Sequence, residues 1–307
     1  LAALKWLVRN QRKDGSWSLV GPYEDGIDHV DNPAAATAMA VMAFLGAGHT
    51  HLGKSSFQGN VSRGIKVLLN KQRKSGDFFS MGPSTHRFYT NAQCAIALCE
   101  AYAMTHDAKL KEPAQKAVDY LVENQDEDGG WRYFPRQGSD TSVTGWVVMA
   151  LQSAQMGYLY VPPKTLKQVG KYLDRVSTHK GQRYLYRIGQ SHGGSSDLAM
   201  TAEGLLCRQY LGWPKTDLRL RGGIEFILQN LPDWSRRDVY YWYYATQVCH
   251  HMEGKAWQTW NRTMSALIPE HQIRSGQEQG SWDPVGDQWG HNGGRLFVTC
   301  LSVYMLE

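Results

Sequence analysis

The chain has 307 residues, 42% of them hydrophobic and 20% charged, with 33 Lys and Arg against 28 Asp and Glu. The formal charge is +5 and the mean hydropathy −0.46. This apolar content supports a large core and excludes a disordered chain, and the longest low-charge apolar stretch, residues 34–48, falls short of the about 20 residues that cross a bilayer.

The chain opens at Leu1 inside an apolar helical pattern, with no Met and no leader, which predicts one domain over residues 1–307 excised from a longer protein. Nothing in it marks a compartment or an oligomeric state. From Leu4 onward an i, i+3, i+4 apolar triplet recurs: Leu4/Leu7/Val8, Ile65/Leu68/Leu69, Val118/Leu121/Val122, Val169/Tyr172/Leu173, Ile224/Ile227/Leu228 and Met264/Leu267/Ile268. That spacing is one apolar stripe on a helix whose other face keeps charged residues. Each triplet is followed by a Gly- or Pro-containing turn and an aromatic residue: Trp17, Phe78, Trp131, Tyr184, Trp234 and Trp282, in steps of 61, 53, 53, 50 and 48 residues. After each aromatic comes a second helix, over 34–48, 90–104, 142–156, 198–212, 239–252 and 294–306, apolar or small around most of its circumference. A helix without a polar face is surrounded by protein. The pattern predicts an all-α (α/α)6 toroid, six inner helices inside six outer ones, with no competing β pattern.

The repeat reads aromatic-Leu, three residues, Gln, a short turn, then Gly-x-aromatic. Trp6-Leu7…Gln11…Gly15-Ser16-Trp17 and Tyr120-Leu121…Gln125…Gly129-Gly130-Trp131 fit it fully, and Val67-Leu68…Gln72…Gly76-Asp77-Phe78 departs only at Val67. This resembles the QW repeat of the terpenoid cyclase and protein prenyltransferase superfamily. Over its full length the chain is similar to squalene cyclase-like "prenyltransferase and squalene oxidase repeat" proteins of planctomycete bacteria. The Gln is expected to bond unpaired backbone groups at a neighbouring helix end, shielded by the Trp. Repeat four lacks the element and repeat five has Leu231 in place of Gln, which predicts a more loosely tied second half.

The chemistries that the resemblance implies lose their key atoms. On the cyclase Asp-x-Asp-Asp motif fall Gln137, Gly138, Ser139 and Asp140, so the proton donor is replaced by a serine. The prenyltransferase Asp-x-Cys zinc motif does not occur, and Cys249, His250, His251 and His192 are the best leftover ligands; neighbours on a helix point about 100° apart, and no metal or other cofactor is expected. The string Gly276-Gln277-Glu278-Gln279 lacks the Cys of complement-type thioesters. The five Cys lie singly in apolar helices and read as buried hydrophobes.

What remains is the mouth of the ring, where the loops before the inner helices gather. Asp140 and Asp197 fall at corresponding positions there, with Glu24, Asp25, Asp28, His29 and Asp31, and with His86, Arg87, Asp238, Asp287, His291 and Arg295 in the equivalent loops. Capping and helix-dipole pairing account for many of these. Trp146, Phe88, Tyr89, Tyr240, Trp242, Tyr243 and Phe297, with His86 and Arg295, are expected to line a central cavity. The run Tyr240 to Tyr244 cannot point one way from a helix, so it is expected to divide between that cavity and the outer helices. Trp17, Trp131, Trp234 and Trp282 are assigned to joints between hairpins.

The leading expectation is a non-cyclising toroid that binds an elongated apolar ligand, isoprenoid-like, lipid or peptide, in this cavity. One alternative is an isomerase- or lyase-like enzyme using Asp140 with Asp197 or His291 as acid and base. Another is a structural interaction domain. The basic surplus of residues 162–240, 13 Lys and Arg against 7 Asp and Glu, lacks the aromatic interleaving of a nucleic-acid site, and no nucleic acid is expected.

Overall fold

The computed structural model describes residues 1–27, 30–190 and 197–307. Twelve helices alternate between two layers among these residues. The outer ones are α1 (Ala2–Arg9), α3 (Gln58–Lys71), α5 (Ala108–Glu123), α7 (Pro163–Val176), α9 (Leu218–Leu228) and α11 (Gly254–Glu270). The inner ones are α2 (Pro33–Gly46), α4 (Arg87–Thr105), α6 (Thr141–Met156), α8 (Asp197–Tyr210), α10 (Val239–Met252) and α12 (Gly290–Tyr304). Each inner helix packs on the next, and α12 returns to α2, which closes an (α/α)6 toroid. The Tyr304 hydroxyl donates to the Met39 carbonyl at 2.6 Å and the Trp6 indole to Glu278 at 2.8 Å, so both layers are sewn at the seam.

The two layers differ for the reason the sequence implies. All of residues 33–45 in α2 are buried, whereas α7 buries only one stripe, Val169, Tyr172, Leu173 and Val176 with Thr165. Small residues let the inner helices approach closely. One strand pair, β1 (Ser177–Thr178) with β2 (Arg183–Tyr184), precedes α8 and was not anticipated. No helix of the described residues is long and apolar enough to cross a membrane.

The repeat motif is a joint, with its roles distributed differently from expectation. The Gln amides reach the next outer helix: Gln11 donates to Asn60, Gln72 to Pro113 and Gln125 to Thr165 carbonyls, at 2.8–3.0 Å. The last-turn carbonyls at the outer helix C-termini are served by the indoles, Trp17 to Leu7, Trp131 to Leu121 and Trp282 to Ile268. Beneath them lies an element that the spacing did not reveal. The backbone N–H of five of the six repeat aromatics donates to an inner-helix side chain, at Trp17–Thr37, Phe78–Asn91, Trp131–Thr144, Tyr184–Thr201 and Trp282–Thr299.

The second half is tied by other means. In repeat four, buried Arg208 donates to the Tyr184 hydroxyl, the Gly170 carbonyl and Asp174. In repeat five the Tyr241 hydroxyl reaches the Ile227 and Asn230 carbonyls at the end of α9. Repeat six keeps a Gln, Gln272, bonded to the Gly280 carbonyl. Trp234 is not one of the buried joints. It stacks on His271 at 4.0 Å, and Trp260, bonded to Thr246, fills the interior there.

Candidate functional site

Every inner helix sends residues from its N-terminal half into one cavity of about 350 Å³. Asn32 and Met39 come from α2 and its cap, Tyr89 and Gln93 from α4, and Ser142 and Trp146 from α6. Met200, Tyr240, Asn292 and Phe297 complete the inner wall from α8, α10 and α12, while His86, Tyr133, Tyr186 and Trp289 close it from the loops. The described residues that line it include no Lys, Arg, Asp or Glu.

Two carboxyl groups stand directly behind this wall. Asp140 caps α6: one oxygen accepts from the Val143 N–H at 2.8 Å, and the other from the Tyr186 hydroxyl at 3.2 Å, with Arg132 at 3.5 Å. The Tyr186 hydroxyl in turn meets that of Tyr133 at 2.5 Å. Burial pushes the Asp140 carboxyl up to about 7, against those hydrogen bonds and Arg132. The second group, Glu203, lies wholly buried on α8. Its two oxygens are 3.2 and 3.3 Å from the Tyr240 hydroxyl, which is 2.6 Å from Ser142 Oγ, which is 2.8 Å from the Tyr89 hydroxyl. Burial drives Glu203 well above the ordinary carboxylate range, opposed by Tyr244 and Tyr240, and Asp140 pushes it the same way. Gly145 makes room for it: a Cβ there would stand 2.1 Å from Glu203 Oε1.

The sequence reasoning missed Glu203, Tyr133, Tyr186 and Ser142 as site residues. The signals were present. Glu203 is an acid in the middle of an inner helix, between Ala202 and Gly204, and Tyr133 and Tyr186 each follow their repeat aromatic by two positions.

Of the residues expected to line the cavity, Trp146, Tyr89, Tyr240, Phe297 and His86 do so. Phe88 does not: one residue before Tyr89, it points toward α5 and stacks on Tyr120 at 5.9 Å. Trp242, two positions beyond Tyr240, is likewise turned outward onto Trp234 and borders a second cavity of about 560 Å³. Tyr243 lies behind the wall, stacked on Trp146 at 5.8 Å. Arg295 follows Gly294, whose φ of +69° breaks the helical path, and binds Asp25, the Glu24 carbonyl and Ser281. His291 is exposed at the start of α12, beside the lining residues Asn292 and Gly293. Asp197 is the half-buried first residue of α8, and Asp140 is held by Val143, Tyr186 and Arg132.

The other acids of the rim serve structure. Asp238 caps α10 through the Tyr241 N–H, Asp287 accepts from the Val239 and Trp289 N–H groups, and Asp31 binds Ser18, Leu19 and Arg12. Arg87 lies 3.7 Å from Asp77. Asp28, His29 and His192 lie outside the described residues. Cys249 is buried with its thiol pushed up to about 12, whereas His250 and His251 are exposed. Among the described residues no three His, Cys, Asp or Glu converge as metal ligands.

The ring and its cavity define an α/α-toroid protein. Similar rings occur in the GH76A α-1,6-mannanase of Salegentibacter sp. HEL1_6 (TM-score 0.67, 10% identity), the apo type II terpene cyclase MstE of Scytonema (0.64, 14%) and an α-amylase of Clostridium perfringens (0.63, 11%). Each alignment covers 99% of this chain and 94–95% of the other, and at such identities the likeness is one of fold. Residues 51–215 match the squalene-hopene cyclase C-terminal domain family, and the chain belongs to that family. No curated protein sequence matches the chain.

Proposed function

We propose that the protein binds a compact, largely apolar ligand of isoprenoid type in the central cavity. The observation that carries this reading is a wall drawn from all six inner helices, rich in aromatic residues and Met, whose polar side chains, Asn32, Gln93 and Ser142 among them, are uncharged, with no Lys, Arg, Asp or Glu among its described residues. Its volume lies toward the lower end of the about 300–1,000 Å³ typical of small-molecule sites. Related rings hold different ligands: MstE binds geranylgeranyl dihydroxybenzoate and the mannanase binds α-1,6-mannotriose. Trp146, Met39, Met200 and Phe297 supply the apolar contact that an isoprenoid chain uses. Mass spectrometry of small molecules that co-purify with the native protein tests the reading, with Trp146→Ala as comparison. A neutral terpenoid enriched in the wild type and depleted in the variant is expected. Absence of any bound terpenoid, together with no response of Trp fluorescence to added farnesol, would refute it.

A second reading is a proton-transfer enzyme, favoured by the buried Asp140 reaching the cavity through Tyr186 and Tyr133. Its partner group is then Glu203 in place of Asp197 or His291. Deuterium uptake from solvent into a bound enolisable ketone, abolished in Asp140→Asn, is its expected signature; equal uptake by the variant would rule it out.

A further inference from the structure

The hydroxyls of Tyr89, Ser142 and Tyr240 form one hydrogen-bonded chain, and all three residues line the cavity. The chain ends inward on Glu203, beyond solvent reach. A hydroxyl has one proton to give, so the direction of such a chain is set at its end. Were Glu203 ionised, Tyr240 would donate to it, Ser142 to Tyr240 and Tyr89 to Ser142, and every proton would point away from the cavity. A neutral Glu203, which can donate as well as accept, permits the opposite order, in which its own O–H donates to Tyr240, Tyr240 to Ser142 and Ser142 to Tyr89. The Tyr89 O–H is then left to donate into the cavity.

Burial and the nearby Asp140 favour the neutral form. The Tyr244 hydroxyl lies beside the same carboxyl and, with Tyr240, opposes that push. With no Lys or Arg among the described lining residues and two carboxyl groups behind the wall, an anionic head is disfavoured.

We propose that the Tyr89–Ser142–Tyr240 chain backed by Glu203 is a head-group site for a neutral oxygen, the carbonyl or hydroxyl of a terpenoid aldehyde, ketone or alcohol, and that it rejects isoprenoid diphosphates. This rests on the reading that the cavity holds an isoprenoid. Nothing in the likeness of fold assigns Glu203 or its hydroxyl chain a role.

The test titrates the full chain with farnesal, farnesol, the hydrocarbon farnesene and farnesyl diphosphate, read by Trp fluorescence and calorimetry. Farnesal and farnesol are expected to bind about ten-fold tighter than farnesene, the equivalent of ~1.4 kcal/mol, and farnesyl diphosphate about ten-fold weaker than farnesol. In Tyr89→Phe, which removes one oxygen atom, the preference for the oxygenated probes should fall to within about three-fold. A melting temperature close to wild type establishes that this variant is folded, and Ser142→Ala provides a second interruption of the chain. Equal binding of farnesol and farnesene, an unchanged preference in both variants, or tight binding of the diphosphate overturns the head-group site while leaving isoprenoid binding intact. Failure of all four probes overturns the isoprenoid reading itself.

Discussion

Gly145 and Glu203 share one space on adjacent inner helices: a Cβ at Gly145 would lie 2.1 Å from Glu203 Oε1 and 2.3 Å from its Cγ. Helix propensity alone favours Ala over Gly by about 1 kcal/mol in a helix interior. Here packing decides the sign, because Glu203 is fully buried and tethered by Tyr240. Gly145→Ala is expected to destabilise by about 1–3 kcal/mol in urea denaturation. Combined with Glu203→Ala it should cost less than the sum of the two single changes. Additive effects would show that the two positions do not compete for the same volume.

The buried acids make stability fall as pH rises. Asp140 moves from 3.8 to about 7 on folding, so between those values the unfolded chain has lost a proton that the folded protein retains. Stability therefore falls through that window, by up to about 1.4 kcal/mol per pH unit for each such group. Asn keeps the N-cap, so Asp140→Asn should remove this slope without losing the cap, and Glu203→Gln should remove a slope of the same sign. Urea midpoints at about pH 4 and about pH 7 measure the difference from wild type. Profiles that run parallel would mean that neither carboxyl is held protonated by the fold.

The Trp joints predict a graded loss. Trp131→Phe keeps most of the buried ring but removes the indole bond to the Leu121 carbonyl, and about 1 kcal/mol is expected. Trp131→Ala should cost about 3–5 kcal/mol through the cavity it leaves. Thermal or urea unfolding reads both, and equal costs would mean that the indole bond carries the joint and the ring's bulk does not.

The ring was legible in the sequence because its cause is periodic: the triplets, Gln11, Gln72 and Gln125 and the apolar second helices recur at near-constant steps. The site was only half legible. Loops ahead of the inner helices drew attention to Asp140 and Asp197, whereas Glu203 lies well inside α8, at a position that contacts with α6 and α10 explain. Phe88 and Trp242 show the other limit. An aromatic residue on an inner helix faces the cavity or the outer layer according to a rotation of about 100° per residue, and composition carries no phase. Arg295 required knowledge of the break at Gly294, where the chain passes close to the Asp25 carbonyl.

Repeat four supplies the last prediction. Arg208 stands where the Gln and Trp are missing, 5% exposed, donating to Tyr184 at 3.1 Å, to the Gly170 carbonyl at 3.2 Å and to Asp174 at 2.5 Å. Asp174 is 69% exposed, so on losing its partner it is rehydrated, and the loss should stay below that of a fully buried pair. Arg208→Met is expected to cost about 1–3 kcal/mol, chiefly from the unpaired Tyr184 hydroxyl and lost guanidinium packing on Trp213. Arg208→Lys should recover little, since an ammonium lacks the planar fork that meets three acceptors at once. Arg208 points to the outer layer and does not line the cavity, so both variants should keep wild-type affinity for farnesol while melting lower. A loss of affinity at temperatures where both variants are folded would mean that the joint of repeat four also shapes the cavity.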